Sequence, residues 1–143
     1  MGKKRIVKKS DTEEKNGVAT KEISVSKKNV DYGILHVQST YNNTKLALTD
    51  GKGNLLCASS SGALGFKGAK KGTPFAAAKI GETLALKAQG MGIKEVGVIV
   101  KGVGSGRESA IRGFVARGIN LSFIKDKTPI PHNGPKAPKP RRV

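Results

Sequence analysis

Residues 95–124, EVGVIVKGVGSGRESAIRGFVARGINLSFI, decide the fold. Their first six residues are nearly all apolar, which predicts a strand buried on both faces. A glycine-rich turn follows, and Ser105 and Glu108 stand at the spacing of a capping box, in which each side chain satisfies an orphan N–H of a new helix. Ala110, Ile111, Phe114 and Val115 give that helix one apolar side, and Gly118 stops it. Residues 119–124, INLSFI, alternate as a last strand does. Strand, helix and strand in this order make a parallel unit with a right-handed crossover.

Upstream, Thr73 and Pro74 predict a helix start, the hydroxyl as cap and the proline where its missing N–H is harmless. Ala77, Ile80, Leu84 and Ala88 recur at helical spacing, and Gly90 is the predicted stop. Earlier still, residues 33–40, 44–49 and 54–60 read as three strands. They are joined by the turns Tyr41-Asn42-Asn43-Thr44 and Asp50-Gly51-Lys52-Gly53, which makes an antiparallel meander. The order is β-β-β-α-β-α-β, an α/β domain on a mixed sheet, parallel in its second half. Phe75, Phe114 and Phe123 are expected in the core, Tyr41 and Phe66 on the surface.

The chain has 143 residues, enough for one domain, and 27 Lys and Arg against 10 Asp and Glu give a net charge of +17. Such a field concentrates polyanions, with nucleic acid foremost. No apolar run is long enough to span a membrane. The basic start MGKKRIVKKS leads into no apolar segment, and Ile6 occupies the place where myristoylation needs Ser or Thr. Cys57 is the sole cysteine, and His36 and His132 are the only histidines, far apart, so no metal centre is expected. The lone thiol suits a reducing compartment, most simply the cytosol. Charge and proline divide the chain into a basic arm (1–30), the domain (31–126) and a tail (127–143) that holds five of the six prolines. Both ends read as solvated arms that order on a polyanion.

Three segments carry the chemistry. Gly62–Thr73 combines glycines with Lys67, Lys70 and Lys71 beside a helix start, where backbone N–H groups favour phosphate oxygens. Gly102–Ser109 lies between a strand and a helix, the place of a dinucleotide fingerprint, and Asp126 stands where the ribose-binding acid would be. Arg107, however, takes the position of the third glycine, and an RNA phosphate held by Arg107 suits the loop better than a cofactor. The third is Thr128–Gly134, TPIPHNG, kept extended by proline and followed by basic residues. Its Asn133-Gly134 step is a candidate isoaspartate site, because glycine leaves the backbone N–H free to attack the side-chain carbonyl. Aromatic residues are scarce at 4%, too few for a base-stacking platform, so the expected target is folded nucleic acid gripped by its backbone. A dinucleotide-dependent enzyme and a DNA-packaging protein are the alternatives. The first would bind cofactor saturably through Gly102–Gly106, and the second would prefer duplex DNA.

The segments GILHVQSTYNNT, LTDGKGN, GFKGAKKGTPFAA, VKGVGSGRES and TPIPHNGP, in this order, make residues 33–143 resemble the bacterial-type family of ribosomal protein eleven of the small subunit. Val103 and Ser105 depart from it where the family usually has prolines, as does Pro135 where many relatives carry Cys. The resemblance implies a three-layer ribonuclease-H-like domain with sheet order 3-2-1-4-5 and no nuclease site. It implies a non-enzymatic protein without cofactor on the platform of the small subunit, in the cytoplasm or in an organellar ribosome. There it would touch rRNA near the exit site and the 3′ end, neighbouring platform proteins and the messenger. The implied rRNA-facing residues are Asn42, Asn43, Lys67, Lys70, Lys71, Arg107, Arg112, His132, Asn133, Lys136, Lys139, Arg141 and Arg142.

Overall fold

Alternation from Gly33 lays down the central strand, β1 (Tyr32–Ser39), whose Leu35, Val37 and Ser39 are buried while Gln38 is exposed. The structure, a computed structural model, describes residues 30–142. The expected basic arm therefore lies outside the described residues except for Val30, and so does Val143. The meander continues through β2 (Thr44–Asp50) and β3 (Leu55–Ser60), both pairings antiparallel. A 3₁₀ turn at Gly68–Gly72 leads into α1 (Pro74–Gly90), then β4 (Glu95–Gly102), α2 (Gly106–Val115) and β5 (Asn120–Asp126). The sheet order is β3-β2-β1-β4-β5, with β4 parallel to both β1 and β5. The mixed α/β architecture and the strand order are those expected.

Both crossovers, β3 to β4 and β4 to β5, advance in the same direction across the sheet. Right-handed connections then set both helices on one face. The core forms there: Leu35, Val37, Leu46, Leu48, Val96 and Val98 meet Ile80, Leu84 and Phe114, all at most 1% exposed. The described residues thus supply two of the three implied layers. The helices meet through glycines, with Gly81 against the Ala110 carbonyl and Gly113 against that of Ala78. On the opposite face Gly97 is buried under the Phe123 ring but Ile99 only partly, so β4 is not fully covered on both sides as its sequence predicted.

Three local expectations are corrected or refined. α1 ends at Gly90 as expected, but the left-handed residue that closes its end is Gly92 (φ +83°). The Gly92 and Ile93 N–H groups close back on the Gln89 and Ala88 carbonyls at 3.0 and 3.2 Å, and Ile93 packs into the core. The capping box is absent: the Ser105 hydroxyl donates to the Gly72 carbonyl (3.0 Å), and Glu108 pairs with Arg112 instead. Phe75 is 64% exposed, standing edge-on to Phe66, because position 75 falls on the outer side of the first turn of α1. Phe66, expected on the surface, is half-buried in that contact, as is Phe123 over Gly97; Phe114 alone of the three is a full core residue. Among the described residues, no helix is long and apolar enough to cross a membrane.

Candidate nucleic-acid interface

The carboxyl ends of β1, β3, β4 and β5 lie at one edge of the sheet, the edge where open α/β sheets bind ligands. The amino ends of α1 and α2 point to the same edge, since each helix follows a strand that ends there. A buried polar cluster fastens the loops. Ser39, Thr44 and Ser61 are fully buried; the Thr44 N–H donates to the Ser61 hydroxyl (3.3 Å), and Ser61 donates to the Asn43 side-chain carbonyl. Ser39 and Thr44 continue the alternation of β1 and β2 onto the core side, and Ser61 that of β3, the one sequence signal that could have singled them out.

Two glycines allow the loops to close over this cluster. A Cβ on Gly72 would come within 2.1 Å of the Tyr41 carbonyl oxygen, and one on Gly104 within 2.4 Å of the Thr40 oxygen. The glycines of the 102–106 loop therefore serve close contacts inside the protein, not the approach of a pyrophosphate. Asp126, the apparent ribose acid, is equally committed. Its carboxylate accepts from the Thr128 N–H (2.9 Å), the Thr128 hydroxyl (2.6 Å) and the Arg107 guanidinium. These donors, Thr128 first and Arg107 next, hold the Asp126 carboxyl at about 2. Because its pKa is depressed on folding, this clamp is complete above about pH 4 and is lost as pH falls toward 2. Carboxyl NMR should place the Asp126 midpoint near 2, with the Thr128 N–H losing its protection in step. An ordinary midpoint near 3.8 would mean that the clamp does not form in solution.

The edge gathers Asn42, Asn43, Lys67, Lys70, Lys71 and Arg107, but not all are turned outward. Lys67 and Lys70 are exposed, and Lys71 is half-buried with its stem beside Gly62. Thr73 caps α1 as expected, accepting the Ala76 N–H at 3.3 Å, with Pro74 next and no acid in the first turn. Asn42 is exposed, whereas Asn43 also pins its own turn, its carbonyl accepting from the Thr40 N–H (2.9 Å). Arg107 faces inward: it donates to the Gly102 carbonyl and to Asp126, and lies 3.4 Å from the Thr128 hydroxyl. That clamp, which sequence reasoning missed, sets the tail's departure beside the 102–106 loop. Arg112 stands apart on the outer side of α2, with a 3.5 Å contact to Glu108. His132, Lys136, Lys139, Arg141 and Arg142 are exposed along the tail, and Asn133 adopts a left-handed turn conformation (φ +54°). Among the described residues, no group of His, Cys, Asp and Glu could hold a metal ion.

An edge made of helix amino ends, lysines and backbone loops can bind phosphate oxygens. In agreement, a family model described as ribosomal protein S11 matches residues 33–142.

Proposed function

The chain belongs to the ribosomal protein S11 family, and from that premise we propose that it grips small-subunit rRNA with the carboxyl edge of its sheet and its basic tail. As a member of that family it is a structural component of the small ribosomal subunit acting in translation, and not an enzyme. The observation that supports the finer reading is the convergence at one edge of two helix amino ends, the 62–73 lysine loop and the root of the tail. Phosphate contacts of this kind fix register and orientation rather than read bases. A position on the platform near the exit site and the rRNA 3′ end, beside neighbouring proteins and the messenger in a cytoplasmic ribosome, completes the proposal.

The test is the combined variant Lys67→Glu, Lys70→Glu and Lys71→Glu. Lys67 and Lys70 are exposed and Lys71 only half-buried, so each change should move stability by about 0.5 kcal/mol or less while assembly into the small subunit falls sharply. Gradient sedimentation of reconstituted particles, with a thermal melt as control, reads both. Normal incorporation of a well-folded variant would remove the loop from the interface.

A further inference from the structure

The sheet face opposite the helices also carries a pattern that the loops do not explain. Register and alternation place its side chains. Gln38 of β1 pairs with Lys45 of β2 and with Lys101 of β4, so these three form one row near the carboxyl edge. Lys127, one residue past β5, extends that row, its N–H bonded to the Val100 carbonyl at 2.9 Å. In the next row His36 lies beside Ile99, and Ile99 beside Lys125. Neighbouring strands are about 4.8 Å apart, so Lys45 and Lys101 stand roughly 10 Å apart on a surface whose width is set by the backbone. By the same alternation the acid of these strands on this face is Glu95, at the far, amino end. Among the described residues no helix covers these rows.

The face is open and joined to the edge already described. A groove of about 450 Å³ runs past His36, Gln38, Lys45 and Ala58. A smaller one of about 200 Å³ shares Gln38 and Lys45 with it and reaches Thr40 and Asn43, which belong to the turn at the carboxyl edge. We propose that this sheet face is a second contact for the sugar–phosphate backbone of small-subunit rRNA, with Lys45, Lys101 and Lys125 as its cations. Gln38 stands between two of them as a neutral donor. Like charges set side by side on a rigid sheet repel one another, and a polyanion laid along the row removes that repulsion. The field of this row reaches His36: burial first, then Lys101 and Lys127, push its imidazole pKa down. The inference rests on the rRNA-binding reading, but on none of the loop residues that carry it.

The experiment compares three full-length proteins on small-subunit rRNA across a salt series: wild type, a face variant (Lys45→Gln, Lys101→Gln, Lys125→Gln) and a loop variant (Lys67→Gln, Lys70→Gln, Lys71→Gln). Each phosphate contact contributes about 0.7–0.9 to the slope of log K against log salt, so the face variant should lose about 2 in slope and bind roughly 10- to 100-fold more weakly at 0.15 M salt. Its melting temperature should match wild type, because all three lysines are exposed. In parallel, NMR of the His36 ring should show its pKa rising when the rRNA fragment is added, as a phosphate arrives beside it. An unchanged slope and an unmoved His36 would overturn the proposal, whatever the loop variant does. A weakened face variant beside an unaffected loop variant would instead uphold the face and overturn the loop interface. Protection of β1 and β4 amides that survives ribonuclease treatment of the assembled particle would assign the face to a protein neighbour and likewise overturn it.

Discussion

Binding of small-subunit rRNA should weaken by roughly 10³-fold or more between 50 and 200 mM salt. The expectation follows from what the surface offers. The exposed or half-buried cations of the loop and tail, Lys67, Lys70, Lys71, Lys136, Lys139, Arg141 and Arg142, already fall within the range of six to ten phosphate contacts for which a loss of about 10³ to 10⁵ is usual. The net charge of +17 adds a long-range attraction that salt screens in the same direction. No stacking term offsets this. Tyr41, 78% exposed, is the one strongly exposed ring at the carboxyl edge apart from Phe75, which leans on Phe66. A filter-binding or fluorescence titration at four salt concentrations checks the prediction. A flat profile would mean that affinity comes from base edges or apolar contact, and the electrostatic reading of both ends of the domain would fail.

What was legible in the sequence was whatever a short stretch of chain decides for itself. The hairpin turn at Asp50 is one case: its carboxylate accepts the Lys52 and Asn54 N–H groups, both at 2.9 Å and within four residues. The Thr73-Pro74 helix start is another, and so is the alternation of β1. The strand order came from the family resemblance, and the structure bears it out. What was not legible depended on partners far along the chain. Ser105 has the spacing of a cap, yet its hydroxyl bonds a carbonyl 33 residues away, because the two loops are held together at the sheet edge. Arg107 looked like a phosphate ligand and Asp126 like a ribose acid. Residue type singles out both, but not that they bind each other across 19 residues, with Thr128 completing the clamp. By composition, Gly90 and Gly92 could each supply the left-handed residue that closes α1. The choice between them falls to Gly92, since it places Ile93 in the core. The open sheet face is not legible in the sequence, because its lysines are spread over residues 45 to 127 and form a row only through register.

Replacing Gly81 with alanine should destabilise the protein, although the same change in an ordinary helix stabilises it. In an isolated helix alanine is favoured over glycine by about 1 kcal/mol, through backbone entropy alone. Gly81 lies in the middle of α1, fully within the helix and buried against α2. An added Cβ would sit 2.4 Å from the Ala110 carbonyl oxygen, 2.9 Å from the Phe114 nitrogen and 3.2 Å from the Gly113 carbonyl carbon. All three are backbone atoms, so no rotamer change can relieve the overlap; one helix must move away from the other. The movement is resisted from the other side as well. Gly113 of α2 lies against the Ala78 backbone in the same crossing, at 2.4 Å for its own added Cβ. Overpacking of a tight core costs about 1–3 kcal/mol, sometimes more, and a clash made wholly with backbone belongs at the upper end. After the gain in helix propensity is subtracted, a net loss of about 2 kcal/mol remains, or roughly 10 °C in melting temperature for a domain of this size. Gly90→Ala supplies the contrast. Position 90 is also helical but meets nothing within 4 Å, so that variant should melt at or slightly above wild type. The consequence reaches the proposed interface, because α1 and α2 also bring their amino ends to the carboxyl edge of the sheet, joined by the Ser105–Gly72 hydrogen bond. Separating the helices should therefore weaken rRNA binding below the melting transition as well. Paired thermal melts of Gly81→Ala and Gly90→Ala decide the matter: equal stability in the two would show that the helices do not approach this closely in solution.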